Sequence, residues 1–189
     1  MTYLELEEIL LEDKPSYTLK KREEELFELI PELGACKGFD QYNKEWHPYD
    51  VLEHTYHVVD GIENNISNKL TLRLTALFHD IGKVATRTID SNGVGHFKGH
   101  WVESEKIFGD FADKHSIDKV TKEVVAKLIR YHDANFNILN NLPQGELSRD
   151  EIIMLYRIKK ADILAQNPEK HEQILDRNEL DEEELLMRK

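Results

Sequence analysis

Leu74-Thr75-Ala76-Leu77-Phe78-His79-Asp80-Ile81-Gly82-Lys83 is a run of helix-forming apolar residues that ends in an adjacent His-Asp pair. Leu70, Leu74, Leu77, Phe78 and Ile81 recur at spacings of three and four, and Leu72 and Ala76 fill much of the opposite side. The spacing predicts a helix from Lys69 to Asp80 that is apolar nearly all round and therefore buried. An ionised Asp80 at the end of such a helix needs a partner. Buried carboxylates are paired, hydrogen-bonded or metal-bound, and an adjacent imidazole is the commonest transition-metal ligand. The competing reading is a helix end whose His and Asp face water, and this stretch alone leaves both open.

Outward from this helix, the 189 residues suit one domain, or one domain with an appendage, large enough to bury a sizeable core. A net charge of −12, from 37 acidic and 25 basic residues, argues against wrapping long nucleic acid, because phosphate affinity comes mostly from Lys and Arg. A small or end-bound phosphate ligand stays compatible with it. The single Cys36 excludes an internal disulfide and a Cys-rich zinc site, as expected in a reducing cytoplasm. Leu4 to Leu11 is interrupted by three Glu, so no secretory segment is expected there, and no apolar run approaches membrane-spanning length. These features predict a cytoplasmic protein without a membrane partner; nothing in them speaks to oligomeric state.

Helical periodicity dominates the rest of the chain. Leu4-Leu6-Ile9-Leu10 and Leu19-Leu26-Phe27-Ile30 mark two short amphipathic helices, after which Pro31 and Gly34 are expected to break the pattern. An aperiodic polar and aromatic loop follows from Gly38 to Pro48, then a helix from Tyr49 to about Ile66. Thr86 to Lys98 is turn-rich, with room for a short hairpin. Helices are predicted near 100–115 and 117–132, a polar stretch over 135–147, and a helix to about Gln166 that opens on the capping box Ser148 and Glu151. Asn167-Pro168 starts a last, acidic helix. The expectation is an all-α, single-domain helical bundle of eight or nine helices.

Several of these apolar stripes carry a His or Asp where a surface role is unavailable. His54 lies at the edge of the arc Val51, Leu52, Val58, Val59 and Ile62, whereas His57 turns toward the polar side. His100 heads the stripe Ser104-Ile107-Phe111, and His132 ends the stripe Val125-Leu128. Asp162 continues Leu155-Ile158 toward Ala165 and places a carboxylate in an apolar seam, with Lys159 as its nearest purely structural partner. One inward His or Asp is usually a satisfied core group. Five helices each supplying one point instead to a shared site built by facing helices. Imidazoles with two carboxylates suit Mn, Fe, Co, Ni or Zn better than Ca, which prefers an all-oxygen shell. His47, His96, His115 and His171 are read as structural or solvated, with His96 the nearest of them to the site.

His54, His79-Asp80 and Asp162 resemble the H…HD…D signature of the HD-domain metal-dependent phosphohydrolases. The longer string is closer still: His47-Pro48-Tyr49-Asp50-Val51, Glu53-His54-Thr55, His79 to Lys83, Thr86-Arg87, Gly95 to His100, Tyr131-His132-Asp133 and Ala161-Asp162. It is similar to the HD domain attached to bacterial tRNA nucleotidyltransferases (CCA-adding enzymes) and poly(A) polymerase relatives, over roughly Leu26 to Pro168. These residues carry no nucleotidyltransferase head, so nucleotide addition is not inherited. The resemblance divides the chain into an N-terminal helical extension (1–30), an HD domain (31–168) and an acidic C-terminal helix (169–189).

The resemblance implies one metal held by His54, His79, Asp80 and Asp162, and a second held by His100 and His132 with Asp80 as the bridge. The cofactor is then one or two divalent ions, Mn, Ni, Fe, Co or Zn, with Mg also compatible. The implied reaction is hydrolysis of a phosphate ester by metal-activated water: a 2′,3′-cyclic nucleotide, a 2′-nucleotide or a phosphomonoester, free or at an RNA end. Lys83 and Arg87 are the expected phosphate contacts, Lys83 or a water the proton donor, and Asp133 a residue that orients a ligand imidazole. The alternatives are an HD-type 5′-nucleotidase or dNTP hydrolase, and a non-catalytic, metal-stabilised module that binds an RNA end or a protein.

Overall fold

The computed structural model describes residues 1–42 and 45–188. Part of the loop expected over Gly38 to Pro48, at Asn43 and Lys44, and the final residue Lys189 lie outside the described residues. The chain is all-α, with twelve α-helical segments among the described residues rather than eight or nine. Helix α1 (Tyr3–Leu10) opens on a capping box between Thr2 and Glu5. The pattern Leu19 to Ile30 is divided at Arg22 into α2 (Pro15–Lys21) and α3 (Glu23–Leu29), which leaves Leu19, Leu26 and Ile30 buried. Pro31, expected to break the helix, begins α4 (Pro31–Cys36), where its missing N–H costs nothing.

Helix α5 (Val51–Gly61) is shorter than its apolar pattern. Asp50 takes the N-cap, accepting from Glu53 N at 2.7 Å, and its other oxygen accepts from Gly38 N at 2.8 Å, which ties the preceding segment to the helix start. Helix α6 (Lys69–Phe78) follows, with His79 as its C-cap, and then the single turn α7 (Lys83–Thr86). The turn-rich segment forms a hairpin of β1 (Thr88–Ile89) and β2 (Gly95–His96), with Thr88 opposite His96. Next come α8 (His100–Lys114), α9 (Lys119–Tyr131) and the short α10 (Phe136–Asn140), which Asn135 caps inside the polar stretch over 135–147. Helix α11 (Arg149–Leu164) starts on the expected capping box, and a 3₁₀ turn at Pro168–Lys170 leads into α12 (His171–Arg188).

Four helices close a ring: α5 packs on α6, α6 on α9, α9 on α11, and α11 back on α5. One continuous apolar core runs through it, from Leu6 of α1 to Leu185 of α12. Helix α8 lies along α9, α12 along α11, and α1 and α2 against α6 and α5. No described helix is long and apolar enough to cross a membrane.

Helix α6 is the most enclosed, and it includes a cation that its apolar pattern does not advertise. Arg73 has no exposed surface. Its guanidinium donates to the carbonyls of Leu10, Glu12 and Ile62 and to Asn64 Oδ1, so it holds the ends of α1 and α5 to the middle of α6.

Candidate metal centre

The ring of helices brings its inward His and Asp residues together at one end. His79 follows the last turn of α6 and His132 the last turn of α9, and each donates its Nδ1–H to the carbonyl three residues back, Ala76 O at 2.7 Å and Ile129 O at 2.8 Å. These carbonyls are ones a helix end leaves without intrahelical partners. His100, at the start of α8, donates Nδ1–H to Phe97 O at 2.9 Å. A carbonyl only accepts, so the proton sits on Nδ1 in all three rings, and in the neutral form Nε2 presents a lone pair. Asp133 was the expected orienter of a ligand imidazole. The rings are instead oriented by backbone, and Asp133 is an exposed residue on the cavity wall.

The Nε2 atoms converge on Asp80. Its Oδ2 lies 3.3 Å from His79 Nε2 and 3.6 Å from His54 Nε2, and its Oδ1 lies 3.2 Å from His100 Nε2 and 3.6 Å from His132 Nε2. Each carboxylate oxygen thus faces its own pair of imidazoles. The ligand atoms of His54, His79 and Asp80 lie within 4.8 Å of one another, and so do those of Asp80, His100 and His132. Asp162, on α11, joins the first group through His54 Nε2, 2.9 Å from its Oδ1. Its seam neighbours Leu155, Ile158 and Ala165 are buried as expected. Lys159 is not its partner, because that ammonium donates to Ala134 O at 2.5 Å.

This donor set fits a divalent transition metal. His54 Nε2 and His79 Nε2 are buried and make no hydrogen bond, although carboxylate oxygens lie close to both. His100 Nε2 and His132 Nε2 face each other at 3.2 Å, which for two Nδ1-protonated rings sets lone pair against lone pair. A proton or a metal cation between such atoms relieves the repulsion, and nitrogen donors mixed with carboxylates suit divalent first-row transition metals. The electrostatics agree. Burial would raise the Asp80 carboxyl, but the Lys83 ammonium and His79 outweigh it and hold the group well below the usual carboxylate range. Burial would likewise raise Asp162, and the adjacent His54 brings it down. Burial pulls His132 down, whereas in His79 the Asp80 charge overcomes burial and raises the ring.

Asp80, His100, His132 and Asp162 line a cavity of about 430 Å³, together with Lys83, His96 and Lys98. Lys83 is nearly buried, and its Nζ donates to Asp80 Oδ2 at 2.6 Å and to Gln41 Oε1 at 2.8 Å. Arg87, expected beside it, is not on this wall: its guanidinium lies 4.7 Å from the centre of the Phe39 ring and donates to Tyr42 OH at 3.3 Å. His57 is exposed and stacks on Tyr49 at 4.4 Å.

Three residues on or behind the wall gave little sign of themselves in the sequence. His47, read as structural or solvated, packs edge-on to His54 at 5.7 Å, with burial and the Lys83 charge pushing its ring down to about 4. Trp101 directly follows the ligand candidate His100, and an aromatic residue on a helix gives no sign of facing a cavity rather than the core. Gln41 lies in an aperiodic loop, where no pattern distinguishes an inward side chain from a solvated one.

The HD domain family matches residues 46–167, which include all six metal-ligand candidates. Over 123 residues the chain is 32% identical to the multifunctional CCA protein of Pasteurella multocida (strain Pm70), a match covering 61% of this chain and 29% of that protein. The chain therefore spans under a third of the length of this curated relative.

Proposed function

The chain belongs to the HD-domain family, and from that premise we propose that it is a metal-dependent phosphohydrolase acting on a small phosphate ester. The substrate is proposed to be a 2′,3′-cyclic nucleotide, a 2′-nucleotide or a simple phosphomonoester, free or at an RNA end. The observation that carries the reading is Asp80, whose two oxygens each face a separate pair of imidazoles. His54, His79, Asp80 and Asp162 would hold one ion, and Asp80, His100 and His132 the other. When bound, Mn, Fe, Co, Ni, Zn or Mg ions would lower the pKa of a water molecule and neutralise charge on the phosphate oxygens.

The remaining work falls to the chain's own side chains. Lys83 and Lys98 give the cavity wall local positive charge within a chain of net charge −12. Lys83 donates a hydrogen bond to a phosphate oxygen and is the proposed proton donor to the leaving group. Trp101 and Phe97 offer ring surface to a nucleoside beside the phosphate. Arg87 acts from behind the wall, through Phe39 and Tyr42, rather than on the phosphate.

The test is a substrate panel on protein purified without chelator: 2′,3′-cyclic AMP, 2′-AMP, 5′-AMP and p-nitrophenyl phosphate, each with Mn, Ni, Co, Mg and Zn. The proposal expects cleavage of the cyclic or 2′ esters, lost in Asp80→Ala. Cleavage of 5′-AMP alone would move the assignment to a 5′-nucleotidase. No cleavage of any ester by metal-loaded protein would overturn the enzyme reading.

A further inference from the structure

Lys83 reaches the cavity with two of its directions already fixed. An ammonium carries three N–H donors at tetrahedral angles. One goes to Asp80 Oδ2 and one to Gln41 Oε1, so the direction of the third is set, and Lys83 lines the cavity where that donor has no protein acceptor among the described residues. Gln41 provides its half of this arrangement from an irregular segment. It is 2% exposed between the exposed Asp40 and the half-buried Tyr42. Its Nε2 donates to Tyr49 O at 3.3 Å, so both ends of the amide are used, and the reverse orientation would set an NH₂ against the ammonium. A neutral amide also holds the ammonium without cancelling its charge, which a second carboxylate would do.

The segment carrying Gln41 is itself held. Phe39 O accepts from Val51 N at 3.1 Å. Tyr42 lies so close to Gly95 that a Cβ there would come within 2.9 Å of the Tyr42 Cβ. Arg87 covers the outer side, over the Phe39 ring and bonded to Tyr42 OH.

We infer that Gln41 is a positioning residue that aims the third N–H of Lys83 into the cavity as a donor to a substrate phosphate oxygen, with Arg87 clasping the segment that carries it. The inference rests on the phosphohydrolase reading, and a double-mutant cycle separates the two. Inorganic phosphate is titrated calorimetrically into Mn-loaded wild type, Gln41→Leu, Lys83→Ala and the double variant. KM and kcat for p-nitrophenyl phosphate and bound Mn per chain are measured on the same preparations. Loss of the Gln41 amide is expected to weaken phosphate binding and raise KM by about tenfold, with a smaller change in kcat and unchanged Mn.

Once Lys83 is removed, Gln41→Leu is expected to have no further effect. Arg87→Ala, at an exposed position, follows the same rule with a smaller loss and keeps the test decisive if Gln41→Leu does not fold. Unchanged phosphate affinity in the Gln41 and Arg87 variants, or equal losses with and without Lys83, overturns the inference while leaving hydrolysis in place. Wild type that neither binds phosphate nor cleaves an ester overturns the phosphohydrolase reading and this inference together.

Discussion

Asp80 is the single residue on which the candidate site depends most. Its carboxylate is buried among four imidazoles and one ammonium. The imidazoles around it divide into two pairs, one facing each carboxylate oxygen, and the pairs are expected to respond separately to mutation. His132→Ala removes one nitrogen from the His100 side and leaves His54, His79 and Asp162 in place, so bound metal is expected to fall from two ions per chain to one, measured by elemental analysis after gel filtration. Unchanged metal content would place His132 outside the ligand set. Lys83→Ala acts differently. It removes a cation from Asp80 and a donor from the cavity, so metal stays bound while ester turnover falls by tenfold or more, the order expected for a charged hydrogen bond to substrate. Loss of metal in that variant would make Lys83 a structural counter-ion instead.

Helix ends, rather than helix middles, deliver most of the candidate ligands, and close contacts between elements set their spacing. Gly82 sits between the His79-Asp80 pair and α8, and its N–H donates to Ser104 Oγ at 2.9 Å. A Cβ at Gly82 would come within 2.4 Å of His100 O and 2.7 Å of Ser104 N. Gly82→Ala therefore forces α8 away from Asp80. The expected cost is about 1–3 kcal/mol of stability, with loss of the His100-side metal and retention of the other, read by denaturant unfolding and metal analysis. Arg73 plays the corresponding part for the N-terminal helices. Arg73→Met leaves carbonyls of Leu10, Glu12 and Ile62 without their donor and is expected to destabilise the fold by about 3 kcal/mol or more. A loss under 1 kcal/mol would show that water replaces the guanidinium there.

At the scale of the molecule, a ring of four helices holds His54, His79-Asp80, His132 and Asp162 at one end, and α8 adds His100. The all-α class and the inward positions of these residues were legible because helical periodicity reports which side chains a helix buries. That signal ended where periodicity ended. Gln41 and His47 lie in an aperiodic loop, the contribution of Pro31 as a helix start depended on where the preceding helix stopped, and Arg73 was hidden inside a pattern apolar nearly all round. Arg87 was placed by its motif neighbours, but ring contacts with Phe39 and Tyr42 decide where its guanidinium lies. Because folding brings the ligands together, metal binding should stabilise the whole chain. At a free metal concentration a hundredfold above Kd the gain is about 2.7 kcal/mol per site, so a chelator is expected to lower the Tm of wild type and leave that of Asp80→Ala unmoved. Whether Asp80 serves both candidate metal sites is tested most simply by bound Mn per chain in wild type and Asp80→Ala, measured by equilibrium dialysis. Two ions are expected in wild type and none held tightly in the variant; two ions retained after loss of Asp80, or none bound by wild type, would rule out a shared Asp80 carboxylate.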